Sequence, residues 1–203
     1  MPKLTLSKSV YLKEAKKLES YQRFLPSLDL KRKQLVIEQA REKAVLDALQ
    51  RELQELVSSS VSDLPMLGNE EMDLRDLLRV NDVDEARENR LGVVLPLFKN
   101  ISIEVKDYGL LTKPHWVDIL VKRLCRACEL RARLGIQETR LALMQKATRK
   151  ASQRVNLVSK VLIPEAKSNM RKIQIFLADN ERAAVVRSKM AKKKKPAAAD
   201  VEY

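Results

Sequence analysis

Cys125 and Cys128, in the run LCRAC, are the residues of this chain whose type and spacing first suggest chemistry. On a helix, a three-residue step sets both thiols on one face, one turn apart. Such a pair could form a redox couple or half of a metal site. A structural zinc site needs two further soft ligands, and the chain has no other cysteine and one histidine, His115. The pair therefore reads as two small apolar residues at a packing seam, because free cysteine behaves as a small hydrophobe. Glu70 and Glu71 lie in a polar stretch and read as a solvated face. No Gly-rich loop precedes Lys-Ser or Lys-Thr, so no phosphate cradle is expected. One histidine and two helical cysteines build no nucleophilic triad. The residues imply no catalytic group, no cofactor and no metal, and point to a mechanical or interaction protein.

The elements that would position these residues are long helices. The chain has 203 residues, with 4 Gly, 7 Pro and 4% aromatics. Few breakers, many charges and apolar content rich in Leu, Val and Ala favour long helices over a compact globule. A first helix is expected within residues 1–57. Leu28, Leu35, Leu46, Leu49, Leu53 and Leu56 mark its apolar row, and the last four step 3-4-3, as in a coiled-coil seam. The seam weakens between Leu35 and Leu46, where Gln39 and Glu42 stand near positions that should be apolar. Pro26 is expected to bend or interrupt this helix. The run SSSVSD (58–63) is expected to end it.

Residues 58–114 form an acid-rich segment with three of the four glycines, Gly68, Gly92 and Gly109. RLGVVLPLF and NISIEV read as short strands, the second alternating Ile101, Ile103 and Val105. Their turn lies at Lys99 and Asn100 or earlier. With Gly92, Val93, Val94 and Leu95, these residues would make a β-hairpin in a small head that also holds a short helix. A second long helix is expected over 115–192, with a short disordered basic tail over 193–203. Its apolar or small row includes Leu120, Leu124, Ala127, the stem of Arg131, Leu134, Leu141, Met144, Val155 and Leu162. About 75 helical residues would extend roughly 110 Å. Two such helices with an inserted head imply a mainly α fold: a long antiparallel two-helix coiled coil with a small head containing a short β-hairpin.

Charge is lopsided. Against a net +13 for the whole chain, residues 140–195 hold 16 Lys+Arg and only Glu165, Asp179 and Glu181 as acids. Pro164 interrupts the apolar spacing of this basic stretch, where it should cost about 3 kcal/mol in a helix interior. The N-terminal run MPKLTLSKSVYLKEAKKLES has no signal-peptide core. No apolar run approaches the roughly 20 residues that span a bilayer. A cytoplasmic location is expected, peripheral to a membrane if the chain joins a membrane complex.

Four stretches resemble the D subunit of V-type and A-type rotary ATPases, the central rotor shaft family. LDLKRKQL (28–35) resembles that family's LLKxKRxxL segment, and ENRLGVVLP (88–96) its N-V-x-G-V-x-L-P segment. RVNLVSKVLIP (154–164) resembles its RVNALEyvxIP segment, and FLADNERAAVVRSKMAKKK (176–194) its LxExERExxxRLKxxK ending. Order, spacing and length agree. The resemblance implies a non-catalytic stalk component that couples ATP hydrolysis or synthesis to H⁺ or Na⁺ movement. It implies as partners the catalytic and non-catalytic ring subunits, a small central-stalk subunit and a membrane-rotor adaptor, with no nucleic acid. Arg154, Lys160, Lys167, Arg171, Lys172, Arg182 and Arg187 would then face the ring, Pro164 would set a shaft kink, and the hairpin would belong to the head and bear on ATPase stimulation. Apart from that resemblance, a basic helical face could instead bind nucleic acid through phosphates or lie on anionic lipid. The scarcity of aromatic stacking residues speaks against the first.

Overall fold

The computed structural model describes residues 5–68, 77–106 and 114–194. Its elements are α1 (Lys8–Asp63), a 3₁₀ turn (Pro65–Gly68), β1 (Leu78–Arg90), β2 (Val93–Val105), α2 (Trp116–Leu157), a π turn (Val158–Leu162) and α3 (Ile163–Lys194). The fold is mainly α, with long helices and, among the described residues, one antiparallel hairpin. Lys31–Lys150 forms one compact unit, and Met1–Leu30 with Ala151–Tyr203 forms another. Expectations for Gly109, for Glu70 and Glu71 and for most of the basic tail fall outside the described residues.

Within Lys31–Lys150, α1 and α2 pair antiparallel. Partner numbers on α2 fall as those on α1 rise: Glu42 meets Arg140, Glu52 meets Arg126, and Asp63 meets Arg123. Leu35, Leu130, Leu134, Ile136 and Met144 are buried. In the second unit the same sense holds. Gln174 Nε2 donates to Tyr11 Oη at 2.9 Å, and Glu165 acts electrostatically on Lys17, which pairs with Glu14 at 2.7 Å. Val155, Ala166 and Ile173 are the buried apolar residues described there.

Neither proline stops its helix. α1 passes through Pro26 without interruption, so the expected break does not occur there. α1 also runs on through the serines to Asp63. Their hydroxyls donate to carbonyls three or four residues back, as Ser58 does to Glu55 and Ser60 to Leu56, instead of terminating the helix. Pro164 is accommodated differently. In α geometry its ring would strike the Lys160 carbonyl. Here the preceding turn widens to π geometry, with the Ile163 N–H bonded to the Val158 carbonyl. The wider turn displaces the clashing carbonyl, and helix resumes immediately as α3.

The hairpin is longer than the sequence suggests. RLGVVLPLF and NISIEV do not form two strands; apart from Arg90 to Gly92, both lie in β2. Asp84 faces Asn100 and Glu85 faces Phe98, which leaves Lys99 as a bulge within the strand. The partner strand β1 is the acidic run LRVNDVDEARENR. The turn is Leu91 and Gly92, with φ of 53° and 81°. Positive φ at both positions is the signature of a type I′ hairpin turn, which prefers Asn-Gly. Leu91 therefore sits in a region where a Cβ is disfavoured. Leu91→Asn is expected to stabilise the hairpin by about 1 kcal/mol or less, read as slower amide exchange in β1 and β2 and a higher urea midpoint. At the other end of the hairpin the Lys106 N–H donates to the Leu77 carbonyl at 3.1 Å. Leu64, Leu77, Val117, Leu120 and Val121 pack there as a core, with Leu78, Trp116, Leu124 and Cys125 against it.

Candidate functional site

The least expected feature of Lys31–Lys150 is a buried cluster of charges. Glu42, at the weak point of the α1 seam, is 4% exposed, and Arg140 of α2 is 5% exposed. The guanidinium grips the carboxylate as a fork: Arg140 Nε donates to Glu42 Oε2 at 2.9 Å and Arg140 Nη2 to Oε1 at 2.8 Å. Gln137, one turn before Arg140, donates through Nε2 to Glu42 Oε2 at 2.6 Å and to the Glu42 carbonyl at 2.9 Å. The hairpin enters the same cluster. Arg140 Nη1 donates to the Pro96 carbonyl at 2.9 Å and lies 3.6 Å from Glu88 Oε2. Arg90 pairs with Glu88 at 2.8 Å, with Glu42 at 3.4 Å and with Glu38 at 3.6 Å. Beside it, the Arg133 guanidinium stacks over the Phe98 ring at 5.1 Å.

Three elements thus meet on one carboxylate. Arg140 supplies the planar fork that matches a carboxylate, and every buried side-chain polar atom described has a partner. The Glu42 carboxyl is held below the usual carboxylate range, first by the Arg140 hydrogen bond; burial opposes this, while Gln137 and the charges of Arg140 and Arg90 reinforce it. The Glu88 carboxyl is also lowered, chiefly by Arg90. A carboxyl with a folded value below its unfolded one contributes stability that is complete above the unfolded value, about 4.3. That contribution is lost as pH falls through the folded value. Acid titration from pH 5 downward is therefore expected to lower the unfolding midpoint, and Glu42→Gln to flatten that slope. Urea melts at a series of acid pH values would read both.

The residues singled out in the sequence lie as follows. Arg154, Lys160, Lys167, Arg171, Lys172, Arg182 and Arg187 are all exposed, on the end of α2, the π turn and α3. Arg182 lies 3.5 Å from Asp179. From residue 179 to residue 194 every position of α3 is exposed. Pro164 is the second residue of α3. Gly92 is in the hairpin turn, and Val93, Val94, Leu95, Ile101, Ile103 and Val105 are on β2, with Leu95 fully buried. Cys125 and Cys128 are half-buried free thiols, and burial is the main cause that pushes the Cys125 thiol up. A thiol so shifted is a poorer nucleophile than a free one. Among the described residues no three metal-binding side chains cluster, and no helix is long and apolar enough to cross a membrane. Sequence reading noticed Glu42 only as a flaw in the seam and missed its partners Gln137, Arg140 and Arg90.

The comparison with known proteins is decisive for family. A family model described as the D subunit of ATP synthase matches residues 11–193. The chain belongs to the ATP synthase D-subunit family. Relatives named as the D subunit of V-type ATP synthase span nearly all of it. The one from Borreliella burgdorferi is 35% identical, over 95% of each chain. That from Chlamydia felis is 31% identical, over 94% of this chain and 93% of its own. That from Chlamydia abortus is 32% identical, over 93% and 92%. Membership in this family implies other ATPase subunits as partners.

Proposed function

We propose that this chain is the central stalk, or rotor shaft, of a V/A-type rotary ATPase, coupling ATP hydrolysis or synthesis in a catalytic ring to H⁺ or Na⁺ translocation. The observation that carries the reading is the match to the D-subunit family over nearly all of the chain. A shaft needs length, torsional stiffness and asymmetry. Paired antiparallel helices within each unit provide length and stiffness. A hairpin on one side of the pair removes symmetry. A single asymmetric shaft touches three otherwise equivalent catalytic sites differently, so each orientation favours a different set of open and closed states.

In this reading the protein is non-catalytic and cytoplasmic, held at the membrane only through the complex. Both chain ends enter the ring of catalytic and non-catalytic subunits. Arg154, Lys160, Lys167, Arg171, Lys172, Arg182 and Arg187 meet acidic loops there. Exposed, hydrated charges exchange partners during rotation at little cost, whereas a dry interlocked face would resist turning. The head over 58–114 and the adjoining coiled coil meet the small stalk subunit and the membrane-rotor adaptor. Pro164 with its π turn sets the local curvature of the shaft. Pro164→Ala should keep total helicity, by far-UV circular dichroism, while changing the ions moved per ATP. Unchanged torque and ion-to-ATP ratio would sink that role. The shaft reading itself is tested by native mass spectrometry of the tagged chain from gently solubilised membranes. One copy with three copies each of two larger nucleotide-binding subunits is expected. Recovery of the chain alone, from an otherwise intact ATPase, would overturn it.

A further inference from the structure

We infer that Glu42 is a positioning residue that latches the hairpin to the helices, and that the hairpin is an arm hinged at its base. The fastening changes in kind along its length. At the base it is apolar, where Leu77 and Leu78 join the core of Leu64, Val117, Leu120 and Val121. In the middle the hairpin stands off. Leu53, Val80, Val83, Ile101, Ala127 and Cys128 line an open apolar groove of about 500 Å³ between hairpin and helices. Toward the tip the fastening is ionic and aromatic: Glu88, Arg90 and the Pro96 carbonyl on the Glu42–Arg140 cluster, and Phe98 under Arg133. Leu95, beside Pro96, is fully buried, while its neighbours Val94 and Leu97 are exposed. An apolar base, an open middle and a tip held by ionic contacts around the buried Leu95 make the layout of a hinged strap.

Glu42 is the member whose loss most weakens the tip, because its carboxylate fixes the direction of Arg140. Among the described residues it is the only acid that accepts from both Arg140 of α2 and Arg90 of the hairpin at once through one oxygen, Oε1. Without it, Arg90 keeps Glu88 on its own strand and Glu38 of α1 at 3.6 Å, and Arg140 loses the fork that aims it at the Pro96 carbonyl and Glu88. The tip is then tied to the helices through an Arg140 no longer fixed in direction and through the longer Arg90–Glu38 contact. A buried ionic cluster is a weak source of net stability but a strong determinant of a particular arrangement. This inference rests on the shaft reading only for its effect on ATP turnover; the latch itself does not depend on that reading.

The test uses the full chain with Cys125→Ala and Cys128→Ala, and spin labels at positions 43 and 94. Pulsed electron paramagnetic resonance should give one short distance. Glu42→Gln is expected to raise a second, longer distance by about a hundredfold in population, with helicity kept. Leu77→Ala, which weakens the base, should retain the short distance. If Glu42→Gln lowers helicity, Arg140→Lys replaces it, keeping charge without the fork; it should also show the long component. A single short distance in each variant that retains its helicity overturns the latch. In the assembled ATPase, Glu42→Gln should change the ATP hydrolysis rate at unchanged subunit composition. A changed distance with an unchanged rate overturns the positioning role in turnover. Failure of the chain to enter the ATPase at all would count against the shaft reading, and the distances would still decide the latch.

Discussion

Glu42→Ala is expected to lower the stability of the full chain by about 3–5 kcal/mol, the cost of removing one partner of a buried ion pair. The fork from Arg140 and the Gln137 amide both converge on this carboxylate. Truncation leaves Arg140 nearly out of water with only Glu88 at 3.6 Å and the Pro96 carbonyl as partners. Arg140→Ala should cost a similar amount, because it strands Glu42. The double replacement Glu42→Met with Arg140→Met should recover about half of either loss. An apolar pair of similar volume avoids the desolvation cost, but the Pro96 carbonyl loses its donor, worth about 1–3 kcal/mol if left unmet. Gln137 keeps the Glu42 main-chain carbonyl, and the half-exposed Arg90 can turn to solvent. Urea unfolding followed by circular dichroism reads all three variants. A loss below about 1 kcal/mol for Glu42→Ala would place the pair among exposed ion pairs and remove the cluster as an organising site.

How far the sequence discloses such a site depends on the distance its signals span. The helices are legible because their signal is local: Leu49, Leu53 and Leu56 step along one face wherever the partner lies. Register is harder. The expected row used the stem of Arg131, but Arg131 is exposed and Leu130 is buried. A one-residue drift is the natural error when a 3.6-residue period is read as alternating threes and fours. The hairpin is half legible. Apolar β2 carries strand propensity, while β1 is acidic and lacks it; β1 is extended because β2 supplies a complementary edge, a tertiary effect. The turn hid behind Leu91, where the usual Asn would have announced it. The Glu42 cluster left one local trace, a polar residue in an apolar seam. Its meaning lies 95 to 98 residues away in Gln137 and Arg140, and no local pattern links them. The cysteine pair shows the converse: Cys125 packs beside the apolar core at the hairpin base, as its smallness suggested.

Ile173→Ala and Leu130→Ala should each cost about 2–5 kcal/mol, and their effects should appear in different places. Both side chains are fully buried, but Leu130 lies in Lys31–Lys150 and Ile173 in Met1–Leu30 with Ala151–Tyr203. Hydrogen exchange resolves the two, because local opening reports the stability of its own cooperative segment. Ile173→Ala should speed exchange in residues 8–30 and 151–194. Leu130→Ala should do so in 31–63, 77–106 and 116–150. The unit of Met1–Leu30 with Ala151–Tyr203 should be the more fragile, since Val155, Ala166 and Ile173 are its only buried apolar residues among those described, against a larger set in Lys31–Lys150. The double variant should be additive within about 0.5 kcal/mol, as for sites without shared partners. If Ile173→Ala speeds exchange equally throughout 31–150, the helices that run unbroken through Leu30 and Lys150 bind both units into one cooperative body. Local loss would then weaken the whole chain, and a shaft would transmit damage as readily as torque. Confinement to one unit would mean that α1 and α2 carry backbone continuity across the boundary without carrying cooperativity, and that each unit resists twisting through its own side-chain packing.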